Sequence, residues 1–252
     1  AGPDAPEWEE ACREEGMSVA LFRICDRIRT ATSVLDLTSR ETTEIVEEGP
    51  EVADGAALVV ENLVRQVSAN ASIVVVAGTF PPGLAPRGVL EILCDATSRV
   101  VVDSVPSIRT LRDMDRAPAR LLLKLNESEW KVVFGEPTLT SALKQARGLW
   151  PRAELVATRG DKGAVLWEGA GECRSLSSDP FEPAVAVHPI GAGDAFTGGL
   201  VVRLAQDASV LDAALHGMAV ARASCLSPLP ARFSMEEVAV SSESVRSEIV
   251  HV

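Results

Sequence analysis

The sequence predicts an α/β fold, a mostly parallel sheet covered by helices on both faces, and three observations predict it. From residue 53 onward, short apolar strand-like runs such as "SIVVVAG" and "RVVVDS" alternate with helical stretches, the pattern of a parallel sheet buried on both sides. The segments "AGTFPPGL", "DSVPS", "LNESEW", "TRGDKG" and "PIGAGD" all follow strands, and ligands of such sheets collect at the carboxyl ends of strands, so all five are expected to converge on one cleft. A chain of 252 residues is long enough to bury roughly 70–75% of its unfolded surface in one core, so residues 1–252 are expected to form a single domain.

The elements follow in order. Residues 5–15 read as a short acidic helix stopped at Gly16, a good C-terminal residue. "SVALF" (18–22), "ATSVLDL" (31–37) and "TTEIV" (42–46) are β-rich, partly alternating and separated by charged turns, which predicts a small exposed sheet, a flap over about residues 17–48. Helix 53–68 leads to strand 72–78, helix 86–97 to strand 99–104, and strand 119–125 to helices 126–134 and 138–148. Strands 153–160 and 163–169 come next, and apolar residues before Pro189 end a further strand. A helix opens near Asp194, with Ala195, Phe196, Leu200, Val201 and Leu204 at helical spacing. The stretch "LHGMAVARASC" (215–225) is small and apolar, suited to a core helix or to one lying against an aromatic base.

Composition removes several function classes. With 24 basic and 36 acidic residues the net charge is −12, which repels nucleic-acid backbones and anionic membrane surfaces, and no basic patch overrides it. Anionic substrates then require focused Lys or Arg residues, or backbone N–H groups, at the site itself. The five cysteines are widely spaced with no C-x-x-C pair, so reduced thiols are expected. No apolar run approaches the about 20 residues that span a bilayer, and "AGPDAPEWEEACREEG" is acidic, unlike a signal peptide. A cytoplasmic location is expected.

The chemistry concentrates in "PIGAGDAFTGGL" (189–200), where Asp194 follows Gly191, Ala192 and Gly193 at the start of a helix. Helix N-termini expose unpaired N–H donors and a partial positive charge, so they hold anions. Glycines there let a phosphate approach the backbone, and a carboxylate in the same turn can take a proton from a hydroxyl attacking that phosphate. A tight strand-to-helix turn with a stabilising first-turn acid is the plainer reading. The spacing fits neither G-x-x-x-x-G-K-[ST] nor G-x-G-x-x-G. In "LKLNESEW", Asn126 and Glu129 form a capping-box pattern, and an Asn amide oxygen with a Glu carboxylate also suits magnesium; both roles can hold at once. Gly160 and Gly163 in "TRGDKG" permit a turn with positive φ.

"PIGAGDAFTGGL" resembles the C-terminal signature of the ribokinase-like (PfkB) family of carbohydrate kinases, and "AGTFPPGL", "LKLNESEW" and "TRGDKGAVLW" fit the same family in the same order. The early run "IRTATSVLDL…TTEIVEEGPEV" looks like the branch acting on phosphorylated hexoses, 1-phosphofructokinase and tagatose-6-phosphate kinase. The resemblance covers almost the whole chain. It implies a three-layer α/β/α sandwich with a small β-flap lid, and ATP- and Mg²⁺-dependent phosphoryl transfer to a sugar phosphate. Asp194 would be the general base, and the N–H groups of Gly191, Ala192 and Gly193 the anion hole. Glu129 and Asn126 would act near magnesium, Lys124 would contact nucleotide phosphate, and Thr158, Gly160 and Gly163 would line the nucleotide. Thr79 would contact the sugar, and Arg29, at the root of the flap, would pair with a sugar's phosphate. Closure of the flap would exclude water, and its apolar face would support a flap-to-flap homodimer.

The chain departs from the family at its start, where a "G-G-x-x-x-N" sugar-binding motif and roughly 50–60 residues, about one βαβ unit with its connections, are not matched. Asp103 ends a buried strand near the cleft without an assigned role, and His188 reads as structural. "SPLPARF" stands where relatives carry a glycine turn. A kinase for an unphosphorylated sugar or a nucleoside, and a catalytically silent nucleotide- or sugar-binding paralogue, are the alternatives.

Overall fold

Apolar strands without a polar face are stable when both faces are covered, and the computed structural model meets that requirement in the middle of one central sheet, whereas its first strand leaves Val75 and Ala77 exposed. It describes residues 5–19, 28–36, 42–52, 55–169, 171–182 and 188–250. These fall into two compact units: residues 1–65 with 80–89, and residues 66–79 with 90–252.

The larger unit holds a seven-stranded sheet in simple sequential order. Strands β3 (Ile73–Ala77), β4 (Arg99–Asp103), β5 (Leu121–Asn126) and β6 (Glu154–Thr158) run parallel. Strands β7 (Ala164–Trp167), β8 (Cys173–Ser178) and β9 (Val245–Val250) each pair antiparallel with the one before. β8 therefore points the same way as β3–β6, and the sheet is mostly parallel. Register levels the carboxyl ends of the parallel strands, with Ala77 opposite Asp103 and Asn126 opposite Thr158.

Strand alternation sorts the buried residues into two faces. Val101, Leu122, Val156, Ala164, Leu166 and Leu176 form one core with Phe196, Leu200 and Leu204 of α7 (Ala192–Ala205) and with Ala213, Ala214 and Met218 of α8 (Val210–Ser224). On β5 the alternate residues Leu123 and Leu125 are buried as well, and the crossover helices α4 (Val105–Arg112) and α5 (Glu127–Phe134) contact the strands they connect. Trp130 of α5 is fully buried and donates its indole N–H to the Val156 carbonyl at 3.0 Å. Its ring stacks on Phe134 at 5.8 Å between centroids, and Phe134 meets Trp150, just beyond α6 (Leu139–Leu149), edge to face. The indole thus removes an apolar ring from water without orphaning its N–H.

Helices α7 and α8 pack closely because two glycines face the contact. A Cβ on Gly199 would lie 2.8 Å from Val220 Cγ2, and one on Gly217 would lie 2.7 Å from the Phe196 carbonyl oxygen. The stretch "LHGMAVARASC" is accordingly a core helix.

Several elements escaped the sequence reading. Helix α4 begins where Pro106 might have suggested a loop, but proline is tolerated in a first helical turn, and Ser104 caps the helix through the Ser107 N–H. Strands β8 and β9 and helix α9 (Met235–Glu243) were not anticipated. The strand expected before Pro189 falls on residues 183–187 and lies outside the described residues, as do residues 20–22 of "SVALF" and Leu37.

In the smaller unit, α1 (Ala5–Glu14) ends at Gly16, whose φ of 74° supplies the left-handed stop the sequence suggested. β1 (Ala31–Leu35) and β2 (Thr42–Val46), two of the three runs expected to form a small sheet, pair antiparallel. Val34 and Ile45, on one face of it, are exposed. Residues near 50 fold onto the double proline, with the Val52 N–H bonded to the Pro82 carbonyl at 3.1 Å. The boundary between the units falls within α2 (Ala56–Ser68) and α3 (Pro86–Cys94). Cys12, Cys94, Cys173 and Cys225 are free thiols, as expected; Cys25 lies outside the described residues.

Glycine substitutions on α7 and α8 separate packing from propensity. Gly217→Ala should lower stability by about 1–3 kcal/mol through overpacking against α7. Gly198→Ala, at an exposed site with nothing within 4 Å of the new methyl, should raise it by about 1 kcal/mol. Urea unfolding midpoints of the two variants would show the opposite signs.

Candidate active site

The carboxyl edge of the parallel strands gathers most of the residues singled out in the sequence. Gly78, at φ 74°, turns the chain after β3 and donates its N–H to the Asp103 carbonyl at 3.0 Å. This places Thr79, an exposed residue, beside the end of β4. Asn126 ends β5 in register with Thr158, the last residue of β6.

Asn126 and Glu129 make the complete capping box. The Asn126 side chain accepts from the Glu129 N–H at 2.9 Å, and the Glu129 carboxylate accepts from the Asn126 N–H at 2.8 Å. One carboxylate oxygen of Glu129 serves the helix and the other is the one a cation would use. Among the described residues no group of three or more His, Cys, Asp or Glu side chains could hold a metal. A magnesium ion bound mainly through waters and nucleotide phosphates does not require such a group, so Glu129 and Asn126 fit as a partial shell.

The segment "TRGDKG" forms the hairpin connection from β6 to β7 through a short 3₁₀ turn, Gly160–Lys162. Gly160 is needed for its φ of 60° alone, since a Cβ there would meet nothing within 4 Å. Gly163 has a different reason: a Cβ would sit 2.0 Å from the Leu176 carbonyl oxygen of β8.

The glycine corner opens α7 as predicted. Gly191 is the N-cap at φ 75°, and no side chain caps the helix. The Ala192 N–H closes a turn on the Pro189 carbonyl at 3.1 Å, so the first-turn donors available to an anion are those that follow, at Gly193 and Asp194. A Cβ on Gly191 would come 3.0 Å from Pro230 Cβ, and one on Gly193 would come 3.3 Å from Lys124 Nζ. The "SPLPARF" loop therefore lies against this corner. In it Ala231 adopts φ 54°, the left-handed conformation a glycine takes without strain.

Two aspartates flank this turn in opposite states. Asp194, in the first turn of α7, is exposed, and among the described residues no hydrogen bond or ion pair engages its carboxylate. Asp103, at the end of β4, is nearly buried and fully engaged: its Oδ2 accepts from Lys124 Nζ at 2.8 Å and from the Thr197 hydroxyl at 2.7 Å. Lys124, only 5% exposed, also donates to the Gly193 carbonyl at 3.2 Å. Thr197 was not singled out in the sequence, and Asp103 had no assigned role. The available signal was a charged residue at the end of one apolar strand, "VVVD", and inside another, "LLLKL".

The chain matches the model of the pfkB family carbohydrate kinases over residues 4–237. It belongs to the pfkB family of carbohydrate kinases. It is 25% identical over 233 residues to the ATP-dependent 6-phosphofructokinase isozyme 2 of Mycobacterium tuberculosis, covering 89% of this chain and 66% of that protein. It is 34% identical over 76 residues to the cytidine kinase of Thermococcus kodakarensis, covering 30% of this chain and 26% of that enzyme. In each case the chain spans less than two thirds of the curated relative. Among solved structures, phosphofructokinase-2 from Escherichia coli in complex with fructose-6-phosphate superposes with a TM-score of 0.80 at 21% identity, covering 96% of this chain and 78% of that one. The pfkB fold of the chain is thus shared, down to the mostly parallel sheet.

Arg29 belongs to the smaller unit, just before β1, and is exposed. No helix among the described residues is long and apolar enough to cross a membrane.

Substitutions at Asn126 test its capping role independently of any ligand. Asn126→Ala should destabilise the protein by about 1 kcal/mol, whereas Asn126→Asp, an equally good N-cap, should stay within a few tenths. Chemical denaturation in the absence of nucleotide would read both.

Proposed function

We propose that this protein is an ATP- and Mg²⁺-dependent kinase that phosphorylates a hydroxyl of a sugar phosphate, a phosphohexose of the kind used by 1-phosphofructokinase or tagatose-6-phosphate kinase. The observation that carries this reading is the state of Asp194: an exposed carboxylate, engaged by nothing among the described residues, in the first turn of a helix whose N-terminus has no side-chain cap.

That arrangement supplies both halves of phosphoryl transfer. Asp194 accepts the proton of the acceptor hydroxyl as its oxygen bonds to the γ-phosphorus; the bond from that phosphorus to the β,γ-bridging oxygen breaks and ADP leaves. Of the corner Gly191, Ala192 and Gly193, the Ala192 N–H is committed to the Pro189 carbonyl, so the first-turn N–H groups of Gly193 and Asp194 face the charge on the moving phosphoryl group. Glu129 and Asn126 would help hold a magnesium ion, which would neutralise phosphate charge when bound. Thr158, Gly160 and Gly163 flank the nucleotide at the ends of β6 and β7, and Thr79 meets the sugar at the end of β3. Lys124 acts on the nucleotide phosphates through the one ammonium proton not directed at Asp103 or Gly193.

Arg29 recognises the substrate's own phosphate, an assignment resting on the family's "R-T…T-E…G-P" run. The exposed Val34 and Ile45 of the β1–β2 sheet support a homodimer through that sheet, and the net charge of −12 weighs against nucleic acid as a partner. The local match to a cytidine kinase favours, as a second reading, a kinase for an unphosphorylated sugar or nucleoside.

ATP-dependent phosphorylation of fructose 1-phosphate, fructose 6-phosphate and tagatose 6-phosphate should fall about 10²–10⁴-fold in Asp194→Asn. A loss of less than about tenfold would remove the base assignment. Arg29→Ala should raise KM for phosphorylated substrates while leaving any activity on free sugars or nucleosides intact. Equal activity of Arg29→Ala and the parent on sugar phosphates would favour the second reading. ATP binding by calorimetry with no turnover of any sugar would instead identify a silent binding paralogue.

A further inference from the structure

We propose that Thr197 and Asp103 are positioning residues that hold the first turn of α7, and with it Asp194, at a fixed height over the end of the sheet. Four atoms form a closed ring: Asp103 Oδ2, Thr197 Oγ1, the Gly193 carbonyl oxygen and Lys124 Nζ. Its edges are 2.7 Å from Thr197 to Asp103, 3.1 Å from Thr197 to Gly193, 3.2 Å from Gly193 to Lys124 and 2.8 Å from Lys124 to Asp103. Thr197 and Lys124 are 6% and 5% exposed, so water does not compete for these contacts.

The turn being held needs such a tie. It begins with two glycines among three residues, has no side-chain cap, and its packing against α8 starts only after Asp194, at Ala195 and Phe196. Glycine loses more backbone freedom on ordering than any other residue. The Gly193 carbonyl is the backbone group immediately before Asp194, and fixing it sets the direction of the Asp194 N–H and Cα. Thr197 lies four residues on; its single hydroxyl proton is shared, directed to Asp103 at 2.7 Å with the Gly193 carbonyl at 3.1 Å as the weaker branch, so the hydroxyl ties α7 to the end of β4 beside that carbonyl. Asp103 in turn fixes Lys124, which closes the ring on the other side. Neither Thr197 nor Asp103 needs to touch substrate; both act through the turn that does.

The kinetic part of this proposal rests on the kinase reading above, and the test keeps the two apart. In the full chain, Thr197→Val removes the hydroxyl at constant shape and Thr197→Ser retains it; Thr197→Ala serves if the valine variant does not fold. Hydrogen exchange followed by mass spectrometry would compare peptides covering the first two turns of α7 with a peptide from α8. We expect the valine variant to exchange at least about tenfold faster over α7 while α8 is unchanged, and the serine variant to match the parent. Steady-state kinetics should show kcat reduced about 10–100-fold with KM values within about threefold, restored by serine. Parent-like exchange in Thr197→Val, or a serine variant that behaves as valine does, overturns the proposal. If the parent phosphorylates no sugar, the kinase reading fails while the exchange comparison still decides whether Thr197 holds the turn.

Discussion

The site of this protein depends on a buried ion pair at the edge of the sheet. Taking an ammonium and a carboxylate out of water costs several kcal/mol per ion, and their attraction offsets that only when geometry is good and further hydrogen bonds complete both groups. Asp103 and Lys124 meet those conditions at 2.8 Å, with the Thr197 hydroxyl as a second donor to the carboxylate and the Gly193 carbonyl as a second acceptor for the ammonium. The pair arises from register: Val102 sits opposite Leu123, so the next residues, Asp103 and Lys124, share one face beyond the apolar Val101 and Leu122. A slip of one residue would send Lys124 to the opposite face. Removing either partner would leave an uncompensated buried charge, a loss of about 3–5 kcal/mol, against a total stability of about 5–15 kcal/mol for a typical domain. The interaction therefore fixes register, fold and helix placement together.

The glycines of the family signature acquire separate physical reasons in this light. Gly191 is required by a left-handed φ and by Pro230; Gly193 leaves room for the Lys124 ammonium; Gly163 lets β8 pass; Gly199 and Gly217 let two helices touch. Close approach of a phosphate is one reason for a glycine among several, and here most of these positions are already explained by protein atoms. The phosphoryl-transfer reading accordingly stands on Asp194 and on the uncapped helix start rather than on glycine content.

The main lines of the fold were legible because buried parallel strands announce themselves as short apolar runs between helices, and β3 to β7 fell within a residue or two of expectation. The antiparallel strands β8, "CRSLSS", and β9, "VRSEIV", carry mixed polar sequences and are defined by pairing rather than by composition, so they had no local signal. Helix α4 was masked by its proline, although the first turn is where a helix accepts one. In the site, Asn126 with Glu129 and the Asp194 corner were legible because their chemistry is encoded within four residues. The ring around Gly193 was not, because Thr197 and Asp103 are 94 positions apart and only folding brings them together. The charged residues in "VVVD" and "LLLKL" were the traces of it, since a lysine inside a buried strand must have a partner.

The two aspartates show why position in the fold, more than residue type, decides a role. A general base must reach the proton of the acceptor hydroxyl, and a carboxylate whose oxygen is already spent on an ammonium and a hydroxyl beneath a helix is badly placed for that. Asp103 is such a carboxylate, holding Lys124 and Thr197 beneath the helix. Asp194 is not, lying exposed on the turn that this buried set supports. On the proposed reading the same carboxylate chemistry divides into an anchor below α7 and a base above it, and the anchor's rigidity is what lets an exposed side chain keep a defined place. A reactive carboxylate on a glycine-rich turn would otherwise lose orientation to the turn's own entropy; here the sheet edge supplies the order that the glycines lack.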